Sequence, residues 1–328
     1  MGAHVVAILL AVCFDAPVRF ATSADQAVML RGDEIITSGN QVDEVSGFSI
    51  LRDGHEEIVH GGFGEKVEAI GDLDGDGVAE IVTSDYWSNG IAIYRGSQRT
   101  AYTTATHGGP SLITDFDHDG KADVISFSFG SGNLVRAHFF RGNGDGTLAP
   151  KTTYDTNLAN AATPSMRTMN GALEILVSEH ARNLAILRYA NGSLSVSRIA
   201  AASGVDFSCT FADVNGDGIA DIVEIDDTPL VSVRIGNADG TFGAPIPLHS
   251  TLAFPLFVHA ADDMFVVSGF RSPTLEVFHG LGDPLAIDAA GPVNTFAVGD
   301  GEIVTVNDDH TVSVIRERDC ARRRGARH

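Results

Sequence analysis

Apolar residues along this chain fall in short runs broken by polar, glycine-rich turns, and one run recurs in a fixed form. An acidic residue is followed by a run of β-branched or apolar residues: Glu34-Ile-Ile-Thr, Glu80-Ile-Val-Thr, Asp123-Val-Ile-Ser, Glu174-Ile-Leu-Val, Asp221-Ile-Val-Glu, Asp263-Met264-Phe-Val-Val and Glu302-Ile-Val-Thr. These are seven units spaced roughly 38 to 51 residues apart, the signature of a stacked or radial repeat. About ten residues beyond each step lies a second, alternating strand, such as Ile91-Ala-Ile-Tyr94 or Val231-Ser-Val-Arg234. The best-preserved units add a tight turn, Asn143-Gly-Asp-Gly146 or Asn237-Ala-Asp-Gly240, and then an outer strand opening Leu148-Ala-Pro150 or Phe242-Gly-Ala-Pro245. No amphipathic helical period persists. Four short strands per unit, repeated seven times, predict an all-β fold: a seven-bladed β-propeller of four-stranded blades.

The last unit ends early, because after Val312 to Arg316 only Glu317 to His328 remain, a polar, arginine-rich stretch without a strand pattern. Its missing outer strand is expected at the other terminus, where Phe14-Asp-Ala-Pro17 through Thr22 matches the fourth-strand openings. An N-terminal strand would then close the ring and protect the edge left open in the final blade. The expected organisation is an apolar leader or signal remnant over 1–13, the propeller over 14–316 and a basic tail over 317–328. Val5 to Cys13 is too short to span a bilayer. The one tryptophan, Trp87, is not followed by Asp, which disfavours a WD40 propeller.

Three units carry chemistry in the turn before the acidic step. Asp72-Leu-Asp74-Gly-Asp76-Gly-Val78-Ala-Glu80 recurs as Asp115-Phe-Asp117-His118-Asp119-Gly-Lys121-Ala-Asp123 and as Asp213-Val-Asn215-Gly-Asp217-Gly-Ile219-Ala-Asp221. Oxygen side chains at loop positions one, three and five, glycine at six and a carboxylate at nine suit a hard cation wrapped by one tight loop, and calcium tolerates such flexible oxygen geometry better than magnesium. A bare Asp/Gly hairpin turn is the alternative, but it gives no reason for the same acids to return three times. An EF-hand is excluded: the last ligand falls at position nine and a strand follows immediately. The expected ligands are therefore the side chains of Asp72, Asp74, Asp76, Glu80, Asp115, Asp117, Asp119, Asp123, Asp213, Asn215, Asp217 and Asp221, with the backbone carbonyls of Val78, Lys121 and Ile219. The other four units lack this loop, and no ligand is expected in them.

This loop resembles the calcium loop of VCBS/FG-GAP repeats, the propeller blades of integrin α-subunits and many bacterial surface proteins. The resemblance implies three bound Ca²⁺ ions and a secreted, cell-surface or periplasmic setting in adhesion or recognition. Net charge is −21, which argues against nucleic acid as a partner. Eleven of the acids lie in the three loops, so three Ca²⁺ would bring the charge to about −15.

In such blades the turn between the second and third strands faces the end of the ring opposite the metal. Those turns vary from unit to unit: Asp85-Tyr86-Trp87, Phe129-Gly-Ser, Glu179-His180-Ala-Arg182, Asp226-Asp227, Phe270-Arg271 and Asn307-Asp308-Asp309-His310. Variable turns on rigid strands suit recognition. Tyr86 and Trp87 are the expected aromatic anchors and Arg182 and Arg271 the directional donors for a protein or glycan ligand. No Gly-x-Ser-x-Gly elbow, His-Glu-x-x-His helix or phosphate-binding glycine loop occurs. The other functional class kept open is a carbohydrate-active lyase or hydrolase using Asp, His and Arg on the same face. Cys13, Cys209 and Cys320 are too few and scattered for a disulfide framework or zinc site, and read as buried or terminal thiols.

Overall fold

A computed structural model describes residues 12–22, 27–38, 47–61, 65–85, 89–104, 108–129, 134–181, 183–202, 204, 206–226, 230–261, 264–299 and 301–319. Every regular element among them is a β-strand, and the strands form seven antiparallel sheets, the blades of one ring. Blade two is representative: inner strand Glu65–Gly71, then Glu80–Asp85, Gly90–Arg95 and outer strand Gln98–Thr103, hydrogen-bonded in that order. No helix among the described residues is long and apolar enough to cross a membrane.

Each blade lies between two others, so both of its faces are buried, and this explains why the second strands read as continuous apolar runs rather than alternating ones. In blade five, Ile222 joins Leu176, Leu184 and Ile186 of blade four. Its sequence neighbour Val223 points the other way, into a cluster with Phe265, Val267 and Phe278 of blade six.

The ring closes as the sequence predicts. In blade seven the strand Thr311–Asp319 pairs with Val18–Ala21, with Val18 opposite Val314 and Phe20 opposite Val312. A second short strand, Val12–Phe14, continues the pairing with Cys13 opposite Arg318 and Phe14 opposite Glu317, and Arg318 forms an ion pair with Asp15 at 2.8 Å. Two sequence expectations are thereby corrected. Glu317, Arg318 and Asp319 belong to a strand, because Val12–Phe14 supplies them with a backbone partner. Cys13 forms a disulfide instead of standing as a thiol, and Cys209 is buried and takes part in no disulfide. Residues 1–11 and 320–328 lie outside the described residues.

The inner strands line the axis, and six of them carry a register shift: between Val67 and Ala69, Gly108 and Ser111, Ala162 and Ser165, Asp206 and Ser208, Pro255 and Phe257, and Val293 and Thr295. Such bulges bend the strand and re-aim side chains, here toward a central channel of about 700 Å³.

Removing residues 1–22 deletes the closing strands and exposes the edge of blade seven. The truncated protein is expected to melt about 10 °C or more below the full chain in differential scanning calorimetry, because several kcal/mol of pairing and packing are lost. An unchanged melt would show that the N-terminal strands carry no structural load.

Candidate cation loops and the opposite face

The three acidic loops sit between the inner and second strands of blades two, three and five. The three loops are tied by closely similar hydrogen bonds, with Asp115 accepting from the N–H groups of Asp119 at 3.1 Å and Gly120 at 2.9 Å. At position one, Asp72 accepts from the N–H groups of Gly75 at 2.6 Å and Gly77 at 2.9 Å, and Asp213 accepts from Gly216 at 2.9 Å and Gly218 at 2.8 Å. At position five, Asp76, Asp119 and Asp217 accept from the N–H of position seven, at 2.8, 2.9 and 2.8 Å. At position nine, Glu80, Asp123 and Asp221 accept from Leu73, Phe116 and Val214 at 2.7, 3.0 and 2.9 Å. The glycine at position six has φ of 86°, 85° and 82° in Gly77, Gly120 and Gly218, with nothing within 4 Å of an added Cβ. Backbone conformation, not space, demands glycine there.

This bonding turns the acids inward. Carboxylate oxygens of Asp72, Asp74 and Glu80 all lie within 4.8 Å of one another, and so do those of Asp115, Asp117 and Asp123. Asp76 and Asp119 stand outside these triads, and the third loop has the amide of Asn215 in position three, where its Oδ1 accepts from Asp217 N–H at 2.9 Å. Burial, reinforced by Asp117 and Asp119, pushes Asp123 up to about 6. Burial also raises Glu80, with Asp74 and Asp72 adding to it, and raises Asp221, with Asp217 adding. An all-oxygen donor set with crowded negative charge fits a hard divalent cation.

Sequence reasoning missed how the positively charged side chains answer these acids. In five blades the third strand carries an arginine facing the position-nine acid. In blades without the loop it bonds that acid directly: Arg188 to Glu174 at 2.6 Å, Arg316 to Glu302 at 2.5 Å, and Arg52 to Glu34. In blades two and three the loop intervenes: Arg95 reaches Asp74 and lies 3.0 Å from Asp76, while Arg141 lies 2.8 Å from Asp117. Two blades without the loop add an arginine on the inner strand. Arg31 bonds Glu34 and donates to the carbonyl of Ala79 at 3.0 Å; Arg167 bonds Glu174 and donates to Ala220 at 2.9 Å. Ala79 and Ala220 are position eight of the next blade's acidic loop, so each arginine joins a loop-free blade to a loop-bearing one. The legible signal was the apolar-Arg step in the third strand of these five blades, as in Tyr94-Arg95 and Phe140-Arg141.

On the opposite face, Tyr86, Trp87 and Arg182 lie outside the described residues. Arg271 is exposed, 3.1 Å from Asp308 and 5.5 Å above the ring of Phe270. Phe270 and Phe254 are 63% and 66% exposed, and the N–H of Phe270 donates to the carbonyl of Phe254 at 2.8 Å. His310 holds a φ of 57° in a turn, and His118 a φ of 61° within its loop. The central channel contains Lys66, Glu68 and His259. Burial raises Glu68, which accepts from Ser84 at 2.6 Å, and lowers His259 to about 4.

No family model and no curated protein matches this chain. Solved structures match its fold. A BBS1N structure in complex with ARL6DN aligns with a TM-score of 0.67 at 11% identity, covering 92% of this chain and 96% of that one. A catalytically inactive virginiamycin B lyase from Staphylococcus aureus with quinupristin gives 0.65 at 12%, covering 93% and 99%. BamB from Moraxella catarrhalis gives 0.58 at 12%, covering 93% and 100%. The class shared at these identities is the propeller fold itself.

Arg167 is 7% exposed at its side chain and Glu174 8%. Arg167→Ala leaves a buried carboxylate with only Arg188 and strips two interblade donors. Chemical denaturation is expected to show a loss of about 2–4 kcal/mol, whereas Arg95→Ala, on an exposed side chain, should leave the denaturation midpoint nearly unchanged.

Proposed function

We propose that this protein is a calcium-stabilised, extracytoplasmic propeller whose face opposite the acidic loops binds a protein or glycan ligand. The carrying observation is the division of labour between the two ends of the ring. One end gathers carboxylate triads, and the other exposes Phe254 and Phe270 beside Arg271 in the turns that join the strands. Aromatic surface with a nearby guanidinium is the composition of binding hot spots. The disulfide at Cys13 supports an oxidising compartment. Loops of this kind bind calcium at about 0.1–1 mM, a concentration met outside cells. Tyr86, Trp87 and Arg182 remain proposed contacts of the same face.

Calcium would be held by the side chains at positions one, three, five and nine and the carbonyls of Val78, Lys121 and Ile219. Bound there, it supplies the positive charge that the buried position-nine carboxylates lack. Addition of millimolar Ca²⁺ to chelator-treated protein is expected to raise the melting temperature by several degrees, with magnesium giving much less. Asp115→Ala should remove about a third of that response. A melt insensitive to Ca²⁺ would refute the structural role.

The second reading, a carbohydrate-active lyase or hydrolase, draws on Glu68 and His259 in the channel. Binding and turnover separate the two. On a glycan array and in a surface-protein capture screen, Phe270→Ala combined with Arg271→Ala is expected to lower affinity at least about tenfold with the melt intact. Product formation from a polysaccharide, abolished by Glu68→Gln, would favour the enzyme instead.

A further inference from the structure

The gaps between blades contain buried glutamates near the ligand-facing end, and arginines neutralise three of them. Glu65 is bonded by Arg99, with Nε at 2.8 Å. Glu179 accepts from Arg198 Nε at 2.8 Å and Nη2 at 3.0 Å. Glu224 accepts from Arg234 Nε at 2.7 Å. Two of them also accept an N–H from the segment entering their blade, Ala159 on Glu179 and Ala202 on Glu224.

The gap between blades five and six repeats the carboxylate without the arginine. In blade five the second and third strands place Glu224 opposite Ser232, and Ile222 opposite Arg234. In blade six the matching pairs are Val267 opposite Glu276, and Phe265 opposite Phe278. The acid has moved to the cross-strand partner, and phenylalanine stands where the arginine would be. Glu276 is 0% exposed. Its Oε1 accepts from both N–H and Oγ1 of Thr251 at 2.7 Å, while Oε2 has no hydrogen-bond partner among the described residues. A buried carboxylate oxygen left unmatched is costly, and its three counterparts show which group answers it in this fold.

A cavity of about 170 Å³ is lined by Thr251, the residue that bonds Glu276, and by Phe254, Phe270, Ser272 and Thr274 among others. Thr251 is bonded to Glu276, and Thr274 lies two residues before it on the same side of the strand Thr274–Phe278. The exposed rings of Phe254 and Phe270 form the mouth, and Arg271 already places a guanidinium over Phe270. We propose that this cavity receives an arginine side chain of a basic partner polypeptide, whose guanidinium completes the ion pair at Glu276. The net charge of −21 favours a basic partner, and the two exposed phenylalanines call for apolar surface flanking the arginine, which a polypeptide provides. This deepens the proposed binding face by naming the chemistry of its ligand.

The test uses the full-length protein and a labelled N-acetyl-Leu-Arg-amide peptide in fluorescence anisotropy. Saturable binding is expected, about tenfold weaker for the lysine peptide and about thirtyfold weaker for the neutral citrulline isostere. Glu276→Gln should lose binding about thirtyfold while its melt stays level or rises, because an unmatched buried charge is removed. Glu224→Gln, which strands Arg234, should lower the melt. Equal binding of the arginine and citrulline peptides, or unchanged binding by Glu276→Gln, would overturn the site. Agmatine binding as tightly as the peptide would overturn the polypeptide as its source. Failure here leaves the broader capture screen free to succeed through other residues of the face, so the two readings fail separately.

Discussion

The structure depends on supplying positive charge to buried carboxylates. A propeller blade is covered on both faces, and in every blade but the sixth the second strand carries an acid near its start, whose oxygens hold the preceding turn in blades two, three and five. Burial there opposes ionisation unless a cation stands nearby, as the raised pKa values of Glu80, Asp123 and Asp221 display. The fold meets this need in two ways. Blades one, four and seven bring one or two arginines onto Glu34, Glu174 and Glu302. Blades two, three and five carry an oxygen-rich loop suited to a divalent ion. The two devices are mechanically linked where Arg31 and Arg167 bond the carbonyls of the next blade's loop.

The same economy governs the other end of the interblade gaps. Glu65, Glu179 and Glu224 are closed by arginines from their own blades, and Glu276 is not. A fold that answers a repeated problem three times in one manner and once not at all marks the exception as a place where something else can supply the answer. That exception opens on the face whose turns differ most from blade to blade.

Much of this was legible in the sequence because the repeat is strong. The acid-Ile-Val step gave the blade count, since consecutive apolar residues such as Ile222 and Val223 serve opposite neighbours and cannot drift without exposing one of them. The Phe14 to Thr22 segment could be assigned to the last blade because a ring leaves only one edge to cover. The short pairing of Val12–Phe14 with Glu317 to Asp319 was not visible, because three residues carry too little pattern. The arginine pairs were hidden for a different reason: their partners are distant in sequence, and an arginine at a strand end reads as a solvated charge until the register is known. The glutamate exchange between Glu224 and Glu276 likewise requires the cross-strand register.

Calorimetric titration of Ca²⁺ into chelator-treated protein tests the account most directly, because it would count the loops able to hold an ion. The account predicts three sites per chain, falling to two in Asp115→Ala and unaffected by magnesium at equal concentration. No heat of binding, or a stoichiometry that ignores the loop substitution, would contradict it.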